Sequence, residues 1–217
     1  MNKKISSHVQ YTWWLYLVIA LVIVIAWTTI YNGILQPENN EKVSIIFYSQ
    51  NGWDSLALYT QLNNSRKQIT QQNIETIIVE QCATNKTTFF QRVGADIVTS
   101  DILVIVLSLL DDSDGQKTLD VSRCFYEIDQ AKISQLFVDV TVDYYIVDGK
   151  AYGIYLNNDD AVVNNFEKHY QGNYKFVLFF SRDSVNLDMM NNKGNQGDTA
   201  ALDVVRYLLE QTNEMDS

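Results

Sequence analysis

Residues 101–107 read DILVIVL, and this stretch gives the strongest indication of the fold class. Apolar side chains follow one another here without alternation, and only Asp101 at the start is polar. Such a run, apolar on both faces, predicts a strand in the centre of a parallel sheet. A strand of that kind needs covering helices, so the neighbouring segments are expected to alternate between strand and helix.

The segments before this strand show the expected alternation. Residues 42–49 (KVSIIFYS) and 73–80 (NIETIIVE) are compact apolar runs that predict two more strands. Apolar residues recur with helical spacing over 53–68 and again over 87–99. The order strand–helix–strand–helix–strand predicts an α/β domain with a mostly parallel sheet and three-layer-like packing.

The segments after the central strand continue a mixed pattern. Asp148-Gly149 is a tight-turn signal between two runs rich in Tyr, Ile and Val, and it predicts a hairpin. The remaining predictions are an acidic, solvated loop over 111–120, extended segments over 125–129 and 174–181, and a last helix over 199–211 capped by Asp198. The acids of the loop do not have the spacing of an EF-hand.

A second apolar stretch lies near the N-terminus. Residues 13–31 read WWLYLVIALVIVIAWTTIY, without a charged residue, and span about 28 Å as a helix, which is close to the thickness of a bilayer core. Aromatic residues at both ends are typical of membrane-interface anchors: Trp13, Trp14, Trp27 and Tyr31. The stretch therefore predicts a transmembrane helix, and its length favours an uncleaved signal anchor over a cleaved signal peptide.

The flanking charges predict the orientation of this helix. Lys3 and Lys4 precede it, so the positive-inside rule predicts a cytoplasmic N-terminus and an extracytoplasmic C-terminal domain in the cell membrane. The expected organisation is a cytoplasmic N-terminus over 1–12, the membrane anchor over 13–31, a linker over 32–41, an outer α/β domain over 42–212 and a tail over 213–217.

Charge and composition exclude several classes of function. Without Lys3 and Lys4, the chain carries 14 basic and 26 acidic residues, a net charge of −12, which argues against a nucleic-acid partner. His169 is the only histidine beyond the anchor, so neither a histidine-rich zinc site nor a well-supported catalytic triad is expected. No cofactor is predicted. Cys82 and Cys124 could form a disulfide outside the cell or remain free thiols, and the sequence leaves both alternatives open.

Several short motifs resemble those of the extracellular solute-binding proteins of ABC transporters. Asp101 stands before the central strand, FYEID over 125–129 stands where these proteins have a segment like FLPLD, and YGIYL over 152–156 stands where they have YGIPL. Glu127 and Tyr155 replace the prolines of those motifs. The chain is most similar to small, single-pass, membrane-anchored relatives in Gram-positive bacteria. The resemblance implies a reduced form of one lobe of a periplasmic binding protein.

Aromatic and amide side chains near predicted strand ends are the best candidates for a ligand site. Ligands of open α/β sheets lie beyond the carboxyl ends of the strands, and Tyr and Trp combine apolar area with a polar group. The candidate ligand-binding residues are Tyr48, Gln50, Trp53, Tyr152 and Tyr155. No residue is predicted to be catalytic or to bind a metal.

The expected function is a non-enzymatic, membrane-anchored, extracytoplasmic binding or accessory domain. Its expected partners are the lipid bilayer, through residues 13–31, and a small solute, a transporter or another membrane protein complex. The alternative is a structural protein-interaction subunit of an envelope complex without a small ligand. An extracellular enzyme is the third reading, and the shortage of nucleophile–base pairs disfavours it.

Overall fold

The computed structural model describes residues 3–31, 37–38, 41–50, 55–110, 119–138, 140–156, 175–184, 186–187 and 199–210. The chain divides into two compact units, Met1–Glu38 and Asn39–Ser217. The first unit contains helix α1 (Lys3–Ile30). The second contains β1 (Lys42–Ser49), α2 (Leu56–Ile69), β2 (Thr76–Ala83), α3 (Lys86–Thr99), β3 (Ile102–Val106), α4 (Leu107–Leu110), α5 (Val121–Cys124), α6 (Gln130–Leu136), β4 (Tyr144–Val147), β5 (Lys150–Leu156), β6 (Phe176–Phe180) and α7 (Ala200–Glu210).

The second unit is a mixed α/β fold around a six-stranded sheet with the order β2-β1-β3-β6-β5-β4. The pairs β1–β2 and β1–β3 are parallel, whereas β3–β6, β6–β5 and β5–β4 are antiparallel. The prediction of a mostly parallel sheet is therefore wrong. A continuous apolar run such as FVLFF in β6 is buried on both faces in either direction, so its composition does not reveal strand direction.

Helices cover both faces of the parallel half of the sheet. The crossover through α2 moves outward from β1 to β2, and the crossover through α3 returns across β1 to β3. Since crossovers of this kind are right-handed, α2 and α3 lie on opposite faces. Every residue of β3 and of β6 is buried, as expected for strands in the middle of such a sheet.

The β4–β5 hairpin confirms the turn predicted from Asp148-Gly149. Both residues have positive φ angles, 51° and 79°, as a two-residue type I′ turn requires. Further along β5, Gly153 pairs with Phe179 of β6. A Cβ atom at Gly153 would lie 2.6 Å from a methyl carbon of Val177 and 3.0 Å from the Phe179 ring, so only glycine fits there.

The helix predictions are confirmed in kind, with shifted ends, and three short helices, α4, α5 and α6, were missed. The helix predicted over 53–68 begins at Leu56, and the last helix ends at Glu210. Helix α6 was not predicted, although the side chain of Asp129 caps it by accepting hydrogen bonds from the backbone N–H groups of Ala131 and Lys132. The predicted cap at Asp198 and the acidic loop over 111–118 lie outside the described residues.

Among the described residues, one segment is long and apolar enough to span a bilayer: Trp13–Ile30 of helix α1, with a mean hydropathy of 2.2. The side chains of Trp13–Ile30 are exposed, including the aromatic residues at both ends. The hydroxyls of Thr28 and Thr29 donate to the carbonyl oxygens of Val24 and Ile25, at 2.5 and 2.8 Å. The two hydroxyl groups therefore have hydrogen-bond partners within the helix and do not depend on water for them. Such a helix is compatible with a membrane anchor or a signal sequence.

Candidate binding site

The carboxyl ends of β1 and β3 form a topological switch point. The chain leaves β1 toward β2 on one side, whereas β3 lies on the other side of β1. Connections that depart in opposite directions leave a crevice between the two strand ends, and open α/β sheets bind their ligands in such crevices. This edge is therefore the place where the topology favours a ligand.

Two exposed polar side chains meet at the switch point. Gln50 follows β1 directly, and Ser108 is the second residue of α4, which follows β3. The amide Nε2 of Gln50 donates to the Ser108 hydroxyl oxygen at 3.3 Å. Gln50 was predicted as a ligand residue, but Ser108 was missed. Its position just after the central apolar run was the available signal.

Tyr48 is buried under α3 and presents no surface at this edge. Its ring packs edge-on against Phe89, with ring centroids 5.0 Å apart and planes at 82°. Its hydroxyl donates to Asp96 Oδ2. Burial, followed by the hydrogen bond and the charge of Asp96, raises the pKa of Tyr48 well above its usual range. This neutral phenol holds α3 on the sheet.

Tyr152 and Tyr155 both lie in β5, whose pairing with β4 shifts register next to Tyr152, between Tyr145 and Ile146. Tyr152 is buried, and Tyr155 is half-buried with its ring 5.8 Å from that of Tyr145. Tyr155 lies in the same row of the sheet as Tyr48, through Ile105 and Val177. Three strand spacings, about 14 Å, separate the two tyrosines.

The described candidate residues therefore do not converge on one cleft. Gln50 is at the switch point, Tyr48 is under α3, and Tyr152 and Tyr155 are on the far half of the sheet. Trp53 lies outside the described residues, as does His169. Within the described ranges, no group of three or more His, Cys, Asp or Glu side chains could hold a metal ion.

A buried carboxyl group, Asp101, lies at the other end of the parallel strands, where β1 and β3 begin. Its Oδ2 accepts hydrogen bonds from the Ser44 backbone N–H at 2.9 Å and from Asn186 Nδ2 at 3.0 Å, and its Oδ1 accepts from the Ser184 hydroxyl at 2.6 Å. Burial raises the pKa of Asp101, and these hydrogen bonds oppose the rise. Because Asp101 joins the start of β1 to the segment after β6, its arrangement is that of a structural tie.

Cys82 and Cys124 are both free thiols, so the disulfide alternative is not realised. Cys82 lies in the edge strand β2, next to Tyr48. Cys124 ends α5, and its neighbour Phe125 bridges to Ser181, after β6. β2 and β6 are three strand positions apart, far beyond the reach of a disulfide. Burial raises the pKa of both thiols, which makes them poor nucleophiles at neutral pH.

Comparisons with protein-family profiles, with curated proteins and with solved structures find no match to this chain.

Proposed function

We propose that this protein is a membrane-anchored, non-enzymatic binding or accessory domain that acts outside the cell. The proposed contact surface is the switch point between β1 and β3. The observation that carries the proposal is the pair of exposed polar side chains, Gln50 and Ser108, in the crevice where the strand order reverses. A hydroxyl and a carboxamide can orient a small polar solute through hydrogen bonds without catalysing a reaction.

The exposed apolar surface of α1 supports the membrane-anchor part of the proposal. Burying Trp13–Ile30 in a protein core would require a partner surface along the entire helix, whereas a bilayer supplies one directly. The threonine hydroxyls bonded within the helix remove a further obstacle to insertion. With Lys3 and Lys4 on the cytoplasmic side, the acidic second unit is outside the cell.

The proposed relationship is to a single lobe of a solute-binding protein. Helices on both faces of a sheet, with a ligand edge at the carboxyl ends of parallel strands, suit such a lobe. The proposed lobe also includes three strands with antiparallel pairing, β4, β5 and β6, beside its parallel half. The partner would be a transporter or another complex in the same membrane.

Burial of Tyr48 favours the second candidate function, a protein-interaction subunit without a small ligand. A ligand cleft lined by aromatic rings requires accessible rings, but Tyr48 is covered by α3, and Tyr155 is about 14 Å away. A surface without such a cleft suits contact with another protein.

Thermal unfolding of the full chain in lipid nanodiscs tests the small-solute proposal. A library of sugars, amino acids, peptides and ions is screened for a rise in Tm, since a ligand that binds only the folded state stabilises it. We expect Gln50→Ala and Ser108→Ala to abolish the rise and the exposed control Gln68→Ala to retain it. If no compound raises Tm, the protein-interaction candidate replaces the solute-binding one.

Reporter fusions test the proposed orientation. A reporter enzyme that is active only in the cytoplasm, fused after residue 217, should be inactive, whereas one that is active only outside should work. Cytoplasmic activity at the C-terminus would contradict the extracytoplasmic assignment.

A further inference from the structure

Strand β2 is the outermost strand on one side of the sheet. The outer N–H and C=O groups of an edge strand can pair with a strand of another molecule, which promotes aggregation. The sequence of β2, TIIVEQCA, begins with β-branched apolar residues, as is typical of segments that pair with identical copies. The edge of β2 therefore needs protection.

Asn63 of α2 is bonded to this edge through its side-chain amide. Its Nδ2 donates to the Ile77 carbonyl oxygen at 2.7 Å, and its Oδ1 accepts from the Ile77 backbone N–H at 3.0 Å. Because both backbone groups of Ile77 bond to Asn63, neither is directed at β1. They are the outward-facing groups that a neighbouring strand would otherwise bind.

The amide of Asn63 is fully used in this position. Besides its two bonds to Ile77, Nδ2 donates to the Tyr59 carbonyl oxygen at 2.9 Å, and Oδ1 accepts from the Thr76 hydroxyl at 3.2 Å. A primary amide offers two donor hydrogens and two acceptor lone pairs, so all four are satisfied. The bond to Tyr59 fixes the amide to its own helix, and the other bonds fix it to the strand.

A second residue of α2 bonds to the segment that leads into β2. The guanidinium of Arg66, three residues after Asn63, donates to the Glu75 carbonyl oxygen, two residues before Ile77. Glu75 precedes β2, and its own N–H donates to the Glu41 carbonyl oxygen at 2.6 Å, so Arg66 bonds to the chain just before the strand.

We propose that Asn63 closes the edge of β2 by taking the place of a neighbouring strand, and so prevents a second copy of this chain from pairing there. An amide has the same C=O and N–H pair as a peptide group, so it can satisfy one residue of an edge. It cannot propagate the sheet, since no further peptide groups follow it.

Sedimentation velocity of the full chain in detergent, over a range of concentrations, tests the proposal. Asn63→Ala removes the amide, and Asn64→Ala makes the same change at the adjacent exposed residue of the same helix. We expect the apparent Kd of self-association to be about tenfold lower for Asn63→Ala than for Asn64→Ala. Equal values in two folded variants would overturn the proposal.

A second variant covers the case in which Asn63→Ala does not fold. Asn63→Asp keeps the acceptor for the Ile77 N–H but has no donor for the Ile77 carbonyl, so it should self-associate more strongly than Asn64→Ala. A folded Asn63→Asp variant that associates no more than the control would also overturn the proposal.

Hydrogen exchange in the unaltered protein provides a test that needs no variant. The Ile77 amide should exchange about as slowly as that of Ile78, the adjacent residue of the same strand, because Asn63 holds it. Exchange of the Ile77 amide at the rate of an exposed edge amide would show that the edge is open and would overturn the proposal.

Discussion

At the residue scale, the most constrained position described is Gly153. The Phe179 ring and a Val177 methyl group occupy the space where any other side chain would begin, so the pairing of β5 with β6 depends on a missing Cβ. An aromatic ring that covers a cross-strand glycine is a recognised way to pin strand register. The motif YGIYL alone does not reveal this contact, since the covering residues come from a strand that begins 23 positions after Gly153, at Phe176.

Gly153→Ala is predicted to destabilise the fold by about 1–3 kcal/mol, because the added methyl group forces neighbouring side chains or backbone to shift. Urea unfolding of the full chain in detergent measures the change. Gly94→Ala is the control. Gly94 is in the interior of α3, and apart from its chain neighbours and the backbone of its own helix, no atom would lie within 4 Å of a Cβ there, so we expect a gain of about 0.5–1 kcal/mol. Equal effects would contradict the steric explanation.

Asp101 gives a prediction about pH. Burial raises the pKa of Asp101 above about 3.9, its value in an unfolded chain. The preference of the folded state for the protonated carboxyl group therefore contributes fully to the free energy of unfolding at pH values below about 3.9. That contribution is lost as the pH rises through the folded-state pKa. The stability of the unaltered protein relative to Asp101→Asn should therefore fall from pH 3 to neutrality.

Urea unfolding at a series of pH values measures this difference. Asp203, whose pKa burial also raises, titrates in both proteins, so its effect cancels. If the stability of the unaltered protein relative to Asp101→Asn stays constant or rises with pH, ionisation of Asp101 does not destabilise the folded state.

At the element scale, a few polar contacts set among apolar residues attach helices to the sheet and to one another. Tyr48 links β1 to α3, and Asn63 links α2 to β2. Asp203 of α7 accepts from the Thr70 hydroxyl at 2.7 Å, which joins α7 to the end of α2. The periodicity of each helix predicts its apolar face, but not which polar residue meets which strand, since those contacts join residues far apart in the chain.

Tyr48→Phe is predicted to lower stability by about 1.5 kcal/mol, the usual loss for a hydrogen bond to a charged acceptor. The ring and its contact with Phe89 remain, so the loss isolates the hydroxyl group. Thermal unfolding compares it with Tyr59→Phe, which alters a more exposed ring on α2. If both variants unfold at the temperature of the unaltered protein, the hydroxyl does not secure α3.

At the scale of the whole molecule, the chain combines an apolar helix with an acidic α/β unit. Hydropathy alone predicts the helix, because a bilayer selects for length and composition rather than for particular contacts. The same reasoning predicts that the full chain behaves as an integral membrane protein.

Alkaline extraction of membranes tests this prediction. The full chain should stay in the membrane pellet, since burial of Trp13–Ile30 in lipid does not depend on charge. Replacing Val22 and Ile23 by arginine should move it toward the soluble fraction, because each arginine at a helix centre costs about 2.5–3.5 kcal/mol. Release of the unaltered chain by alkali would indicate peripheral attachment.

The apolar helix, the α/β class, the alternation of β1 to β3 with their helices along the chain and the β4–β5 turn could all be predicted from the amino-acid sequence. Those features depend on residues close together in the chain: apolar runs, helical spacing and Asp148-Gly149. Four features became visible only in the folded chain: the direction of β6, the burial of Tyr48 under α3, the distance between Tyr48 and Tyr155, and the pairing of Gln50 with Ser108. These features depend on which distant segments become neighbours, and a buried apolar strand packs equally well in either direction. Of the predicted set of aromatic residues and Gln50, the candidate site therefore keeps Gln50 and adds Ser108 at the switch point.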